Sequence, residues 1–247
     1  MIAHEYTSCP ICASQSLTEI FTHKIWRIPV LQCANCTHKF ASKHMIQEED
    51  IFNSNGERAN LYASIVEKIK PNTLLDVGTP ADFYFLRKVH TLCPETKLLA
   101  LDLYEKKHPE FISMIHAFPQ DGIQLTSAFH VLEHVQNPIS FVKDLCVCSQ
   151  QFLIEIPNCH SLKRSRFSSY KPHTHFFNRD SMNCLMQQIV PTWKLIERKG
   201  DGNPINFSQL VVHNLDDQLN ILRTFTHIVP LIRSLGSTLG LYKYLLS

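Results

Sequence analysis

Short apolar runs alternating with helical stretches fill the middle of the chain. Leu74-Leu75-Asp76-Val77, Leu98-Leu99-Ala100-Leu101 and Phe152-Leu153-Ile154-Glu155-Ile156 are strand-length and almost continuously apolar, as strands buried on both faces are. Helices are expected between them over residues 80–89 and 138–145. This alternation predicts an α/β domain, a parallel sheet covered by helices on both faces. Upstream, Leu61, Ile65, Val66 and Ile69 recur at helical spacing behind the charged run Glu48, Glu49 and Asp50, so residues 46–71 read as a linker and an amphipathic helix. Downstream, residues 196–197 and 207–212 are expected to form antiparallel strands, with the turn at residues 200–204. Beyond Asn214 the pattern is helical and apolar on one side, interrupted by Pro230, Gly236 and Gly240. That tail is expected to pack on the sheet domain or against a second copy in a homodimer.

The first 45 residues follow a different logic. Cys9-Pro10-Ile11-Cys12 and Cys33-Ala34-Asn35-Cys36 are two turns of identical spacing, each pointing two sulfurs at one centre. Together they predict a closed four-sulfur zinc site at Cys9, Cys12, Cys33 and Cys36, structural because no position is left open. A module this small buries too little surface to fold alone, so the metal would supply much of its stability. Residues 21–30 are expected to make a strand pair between the turns, and His38 is a spare ligand that four cysteines leave unused. Cys93, Cys146, Cys148, Cys159 and Cys184 lie among apolar neighbours and read as small core residues. The organisation is therefore a zinc ribbon (1–45), a linker and helix (46–71), an α/β domain (72–214) and a helical extension (215–247).

Composition narrows the function. The 247 residues carry 24 basic and 22 acidic side chains, a net charge of +2, which gives no electrostatic case for general nucleic-acid binding. The longest apolar runs fall short of a membrane span, and the N-terminal residues His4, Glu5, Cys9 and Cys12 do not make a signal peptide. A soluble, cytoplasmic protein without a membrane partner is expected. With only 7 glycines in the chain, a glycine-rich phosphate or nucleotide loop has little to draw on.

In an open α/β sheet the chemistry gathers beyond the carboxyl ends of the strands. Those ends carry Asp76-Val77-Gly78, then Asp102, then His130-Val131-Leu132-Glu133-His134-Val135 with Asn137-Pro138. Ile154-Glu155-Ile156-Pro157-Asn158 and His173-Thr174-His175-Phe176-Phe177 follow. With the cysteine pairs ahead of them, these motifs in this order resemble class I S-adenosylmethionine-dependent methyltransferases with an N-terminal zinc ribbon, the group that includes sugar C-methyltransferases. The resemblance runs from Cys9 to about His213 and implies a Rossmann-like sheet. It implies that Asp76, Gly78, Asp102 and His130 hold S-adenosylmethionine, with Asp102 on the ribose hydroxyls. It also implies that Glu133 and His134 lie at the reacting centre, with His175 or His173 as a further base, and that the acceptor is a small molecule such as a sugar or nucleotide-linked sugar.

The departures matter as much. Where that family has a glycine-rich first motif, this chain has Asp76, Gly78, Pro80 and Asp82. Pro80 offers no N–H, and Thr79-Pro80-Ala81-Asp82 has the form of a helix start, with Thr79 as N-cap and Asp82 as the capping-box acid. Two other functions therefore stay open: a methyltransferase-shaped binding protein that has lost its cofactor, and an RNA methyltransferase docked through the ribbon. Metal binding by His173 and His175 lacks an evident third ligand. The basic stretch Lys163, Arg164, Arg166 and Lys171 is a candidate phosphate-holding loop.

Overall fold

The computed structural model describes residues 5–22, 27–44, 56–157, 159, 173–190, 192–199 and 207–213. The basic stretch at 163–171, the turn at 200–204 and the extension at 215–247 lie outside the described residues.

The central feature is a seven-stranded sheet. Its strands are β4 (Thr73–Val77), β5 (Lys97–Leu101), β6 (Ile112–Ile115), β7 (Ile123–Phe129), β8 (Ser149–Pro157), β10 (Lys194–Lys199) and β11 (Phe207–His213), in the order β10-β11-β8-β7-β4-β5-β6. Strands β6 to β8 in that row run parallel, while β11 pairs antiparallel with both β8 and β10. The order reverses at β4, which has β5 on one side and β7 on the other. That switch point is where an open α/β sheet leaves a crevice.

The apolar runs divide between two cores because successive strand side chains point to opposite faces. Leu74, Leu98, Leu125 and Leu153 pack under α1 (Gly56–Ile69) and α2 (Tyr84–Leu92). Leu75, Val77, Phe152, Ile154 and Ile156 pack under α3 (Pro138–Cys148) and α4 (Arg179–Gln187). Both of the latter helices start on side-chain caps: Asn137 accepts from the Ser140 amide ahead of Pro138 at the helix start, and Asn178 and Ser181 form a reciprocal capping box.

One start is not where the sequence pattern put it. α2 opens at Tyr84, four residues after Pro80, and its N-cap is Phe83 in a left-handed conformation (φ 52°) without a side-chain cap. Thr79 does not cap this helix; its hydroxyl donates to the Asp76 carboxylate at 2.9 Å. Phe83 is buried, 1% exposed, and Asp82 Oδ1 accepts from the Tyr84 amide at 3.2 Å.

The cysteine module is a small sheet, β1 (Leu17–Thr22), β2 (Pro29–Cys33) and β3 (Lys39–Ala41), completed by β9 (His175–Phe176) from far along the chain. It does not stand apart. Cys9, Ile11, Cys33, Cys36 and Phe40 share one core with Phe177, Met182, Leu185 and Met186. Gln188 Nε2 donates to the Ile11 carbonyl and Tyr6 Oη to that of Gln136, so the module is bolted to both α4 and the loop after β7. No helix among the described residues is long and apolar enough to cross a membrane.

Candidate functional site

Each cysteine pair sits in a tight turn that closes on a left-handed residue. Ala13 N donates to Cys9 O and Thr37 N to Cys33 O, with φ of 57° and 58° at Ala13 and Thr37. The turns face each other, with Cys9 and Cys36 Sγ atoms 3.5 Å apart and Cys12 and Cys33 at the same distance. All four sulfurs lie within 4.8 Å of one another. A tetrahedral zinc thiolate site has sulfur–sulfur edges of about 3.8 Å, so this donor set fits such an ion. His38 is not part of it. Its Nε2 lies 3.2 Å from His175 Nδ1, and His175 Nε2 lies 2.9 Å from the Val135 carbonyl. Because a carbonyl only accepts, His175 Nε2 carries the proton and its Nδ1 accepts from His38 Nε2. Burial pulls His175 down to about 3 against the Val135 hydrogen bond, and His38 well below its ordinary value. His175 is thus a neutral, buried link between module and sheet, 1% exposed, and does not join the residues at the strand ends where a base would work.

At the end of β4, the expected cofactor residues are largely occupied by the protein itself. Asp76 is buried, its carboxylate accepting from Ser127 Oγ at 2.7 Å and Thr79 Oγ1 at 2.9 Å. Burial outweighs those hydrogen bonds and raises its pKa to about 6. Gly78 has φ +71° and gives its amide to Leu101 O at 2.8 Å. A Cβ there would meet Val131 Cγ2 at 2.5 Å, so the space beside Gly78 belongs to the β7 loop. The resemblance made Asp76 and Gly78 cofactor contacts; the structure has Asp76 facing inward and leaves Gly78 only its carbonyl. Asp102 does stand at the end of β5, but Tyr104 N and Lys106 Nζ already donate to it, at 3.0 and 2.7 Å. The same ammonium donates to the Thr79 carbonyl at 2.6 Å, spanning the ends of β4 and β5. Lys106 thus holds the Asp102 carboxylate that the resemblance assigns to a ribose, and Pro80 gives the loop one amide fewer. Sequence reasoning did not single out Lys106, although its spacing of four from Asp102 was a visible signal.

Beyond β7 the side chains gather around one buried carboxylate. The backbone turns sharply at His130 (φ 59°), where His130 N donates to Glu155 O. Glu133, 1% exposed, lies with Oε1 at 3.2 Å from His130 Nδ1. His130 Nε2 receives a hydrogen bond from the Arg58 guanidinium, which fixes Nδ1 as the protonated nitrogen that donates to Glu133. Arg58 in turn pairs with buried Glu155, Nε to Oε2 at 3.4 Å. The Nε2 atoms of His134 and His173 each stand 3.9 Å from Glu133 Oε1. Burial acts to raise the Glu133 pKa, but the His130 hydrogen bond and the surrounding imidazoles bring it down to about 2. Burial also drives His173 down to about 3, so near neutral pH the hydrogen bond from His130 is what holds the anion. His130, the residue the resemblance gave to the cofactor, is engaged here with Glu133 and Arg58. The third residue that a histidine-based metal site lacked is supplied by Glu133, with His134, around His173 and not around His175. Backbone geometry places it: the amides of Thr174 and His175 both donate to Glu133 O at 3.0 Å. Arg58 and Glu155 carried no sequence signal for this role, since one lies on a helix and the other inside a strand.

The family model of a methyltransferase domain matches residues 54–189. No curated protein matches the chain. Among solved structures, the plantazolicin methyltransferase BpumL in complex with SAH is similar at 13% identity and a TM-score of 0.47, over 62% of this chain and 81% of that one. PigF with SAH aligns at 10% identity and a TM-score of 0.47, over 65% of each chain. The N-terminal domain of EvdMO1 with SAH bound aligns at 12% identity and a TM-score of 0.43, over 66% of this chain and 81% of that one. Likenesses of this order carry nothing about acceptor or residue roles. The match over residues 54–189, more than half of the sequence, does decide membership: this chain belongs to the methyltransferase-domain family.

Proposed function

We propose that this protein transfers a methyl group from S-adenosylmethionine to a small-molecule acceptor, a sugar or nucleotide-linked sugar. The observation that carries the reading is that Asp102 follows β5 and the Glu133–His134–His173 group gathers beyond β7, the strands on either side of β4. The cofactor supplies an electrophilic methyl group on a sulfonium. Asp102 accepts the ribose hydroxyls. Lys106, freed from Asp102, provides the positive charge for the cofactor's carboxylate that Pro80 cannot assist. His134 takes the acceptor's proton beside the Glu133 carboxylate, which His130 and Arg58 hold in place. Zinc closes the cysteine module, which is consistent with the reducing cytoplasm, where thiolates persist.

The test is incubation with methyl-labelled S-adenosylmethionine and a panel of sugars and sugar nucleotides. Label should enter one acceptor class, and His134→Ala should lower its rate by about 10²-fold or more. No transfer to any of them by protein that binds the cofactor would remove the sugar reading. One observation favours a second reading, a binding protein without catalysis: the Lys106 ammonium on Asp102, beside a loop that lacks the family's glycines.

A further inference from the structure

We propose that Glu133, His134 and His173 form a site for one divalent transition-metal ion, left open to an oxygen-donor ligand. The ligand atoms of the three residues lie within 4.8 Å of one another. Both imidazole Nε2 atoms face the same carboxylate oxygen at 3.9 Å, too far for hydrogen bonds. An ion bound at 2.0–2.2 Å needs its ligand atoms about 3.0–3.5 Å apart, so side-chain movements of about 1 Å close the set. The gap between these groups is of the size such an ion fills.

The surroundings are those of a metal ligand set. Glu133 Oε1 accepts from His130, whose tautomer Arg58 fixes, an outer partner of the kind that orients ligating carboxylates. Glu133 Oε2 is buried and accepts no hydrogen bond among the described residues, leaving lone pairs for a cation. Two imidazoles and one carboxylate on one side of an ion leave several positions free, and this nitrogen–oxygen set suits manganese, iron(II), cobalt or zinc. The imidazoles keep 17% and 11% of their side chains exposed, so an exogenous ligand can reach the ion. This site is distinct from the four cysteines, whose closed sulfur set has no such position.

That the free positions take an acceptor's oxygen rests on the methyl-transfer reading; the ion itself does not. With the ion present, His134 and His173 give it their lone pairs, and the ion in place of an imidazole makes the bound hydroxyl more acidic.

Manganese separates the two sites, because its preference for oxygen and nitrogen leaves the thiolates to zinc. Full-length protein carrying one zinc per chain is titrated with Mn²⁺ and followed by the loss of the free-ion electron paramagnetic resonance signal. We expect one Mn²⁺ per chain, with binding lost in His173→Ala and in Glu133→Gln, and weakened about 10–100-fold in His130→Ala. Circular dichroism and retained zinc confirm that each variant is folded. Absence of binding at millimolar Mn²⁺, or binding unchanged in folded His173→Ala, would overturn the site. Calorimetry with S-adenosylmethionine on the same zinc-loaded samples before manganese is added reports on the methyl-transfer reading separately.

Discussion

Gly78→Ala tests how the end of β4 is built. The residue sits at φ +71°, where an L side chain costs about 1–2 kcal/mol. The added methyl carbon would stand 2.5 Å from Val131 Cγ2, and Val131 is a stiff, β-branched neighbour that cannot swing away along a long stem. Overpacking of this kind costs about 1–3 kcal/mol, so the substitution should destabilise by about 2–5 kcal/mol in all. Val131→Ala removes the offending methyl groups, so the double variant should recover the steric share and keep the backbone share. Urea unfolding of the wild type, both single variants and the double variant gives that coupling directly. It should be about 1–3 kcal/mol, with the double variant more stable than the sum of its parts predicts. Additivity within about 0.5 kcal/mol would refute the claim that Val131 fills the place of a Gly78 side chain. It would then be open to a ligand.

Other expectations follow from the same geometry. Asp76 is raised to about 6 chiefly by burial, while the unfolded chain ionises near 3.8. The unfolded state therefore loses this proton first, so stability falls between about pH 4 and 6 and is level above, by about 3 kcal/mol. Unfolding of wild type against Asp76→Asn across that range should show the wild type alone losing this amount; parallel profiles would contradict it. Stripping the metal from the cysteine module should loosen the β3–β9 pairing, so the Ala41 amide, bonded to Thr174 O at 2.8 Å, should exchange about fivefold faster or more. Unchanged protection after chelation would mean that the segment carrying His173 is held without the module. Lys106→Met should weaken S-adenosylmethionine binding measured by calorimetry; tighter binding would show that the lysine obstructs Asp102.

The sheet was legible because its strands are apolar on both sides, a pattern that few other elements share. Leu74 and Leu75, adjacent in sequence, enter opposite cores, as burial on both faces requires. The helix after β4 starts four residues later than Thr79, Pro80 and Asp82 suggest, because Thr79 turns back to Asp76 and the chain buries Phe83 before the helix opens, with Asp82 accepting from the Tyr84 amide. The strand β9 was not legible at all. Two residues cannot show a period, and their pairing with β3 joins positions more than 130 apart in sequence. Of the site, Glu133 and His134 stood out as a charged pair at a strand end, and the cysteine spacing announced itself. His173 and His175 could not be ranked by sequence, being two apart on one segment. Strand alternation would put both on one face, but β9 begins only at His175, and His173 ahead of it lies near Glu133 while His175 lies against His38. Arg58 acts through space on His130, and no local pattern records such a contact.

The most direct measurement is a calorimetric titration of the zinc-replete protein with S-adenosylmethionine and with its demethylated product. Micromolar binding of both, weakened at least tenfold by Asp102→Ala, is the result expected of a methyltransferase whose cofactor ribose rests on Asp102. No heat at millimolar ligand, from protein shown to be folded, would contradict it and leave Lys106 as the permanent occupant of that carboxylate.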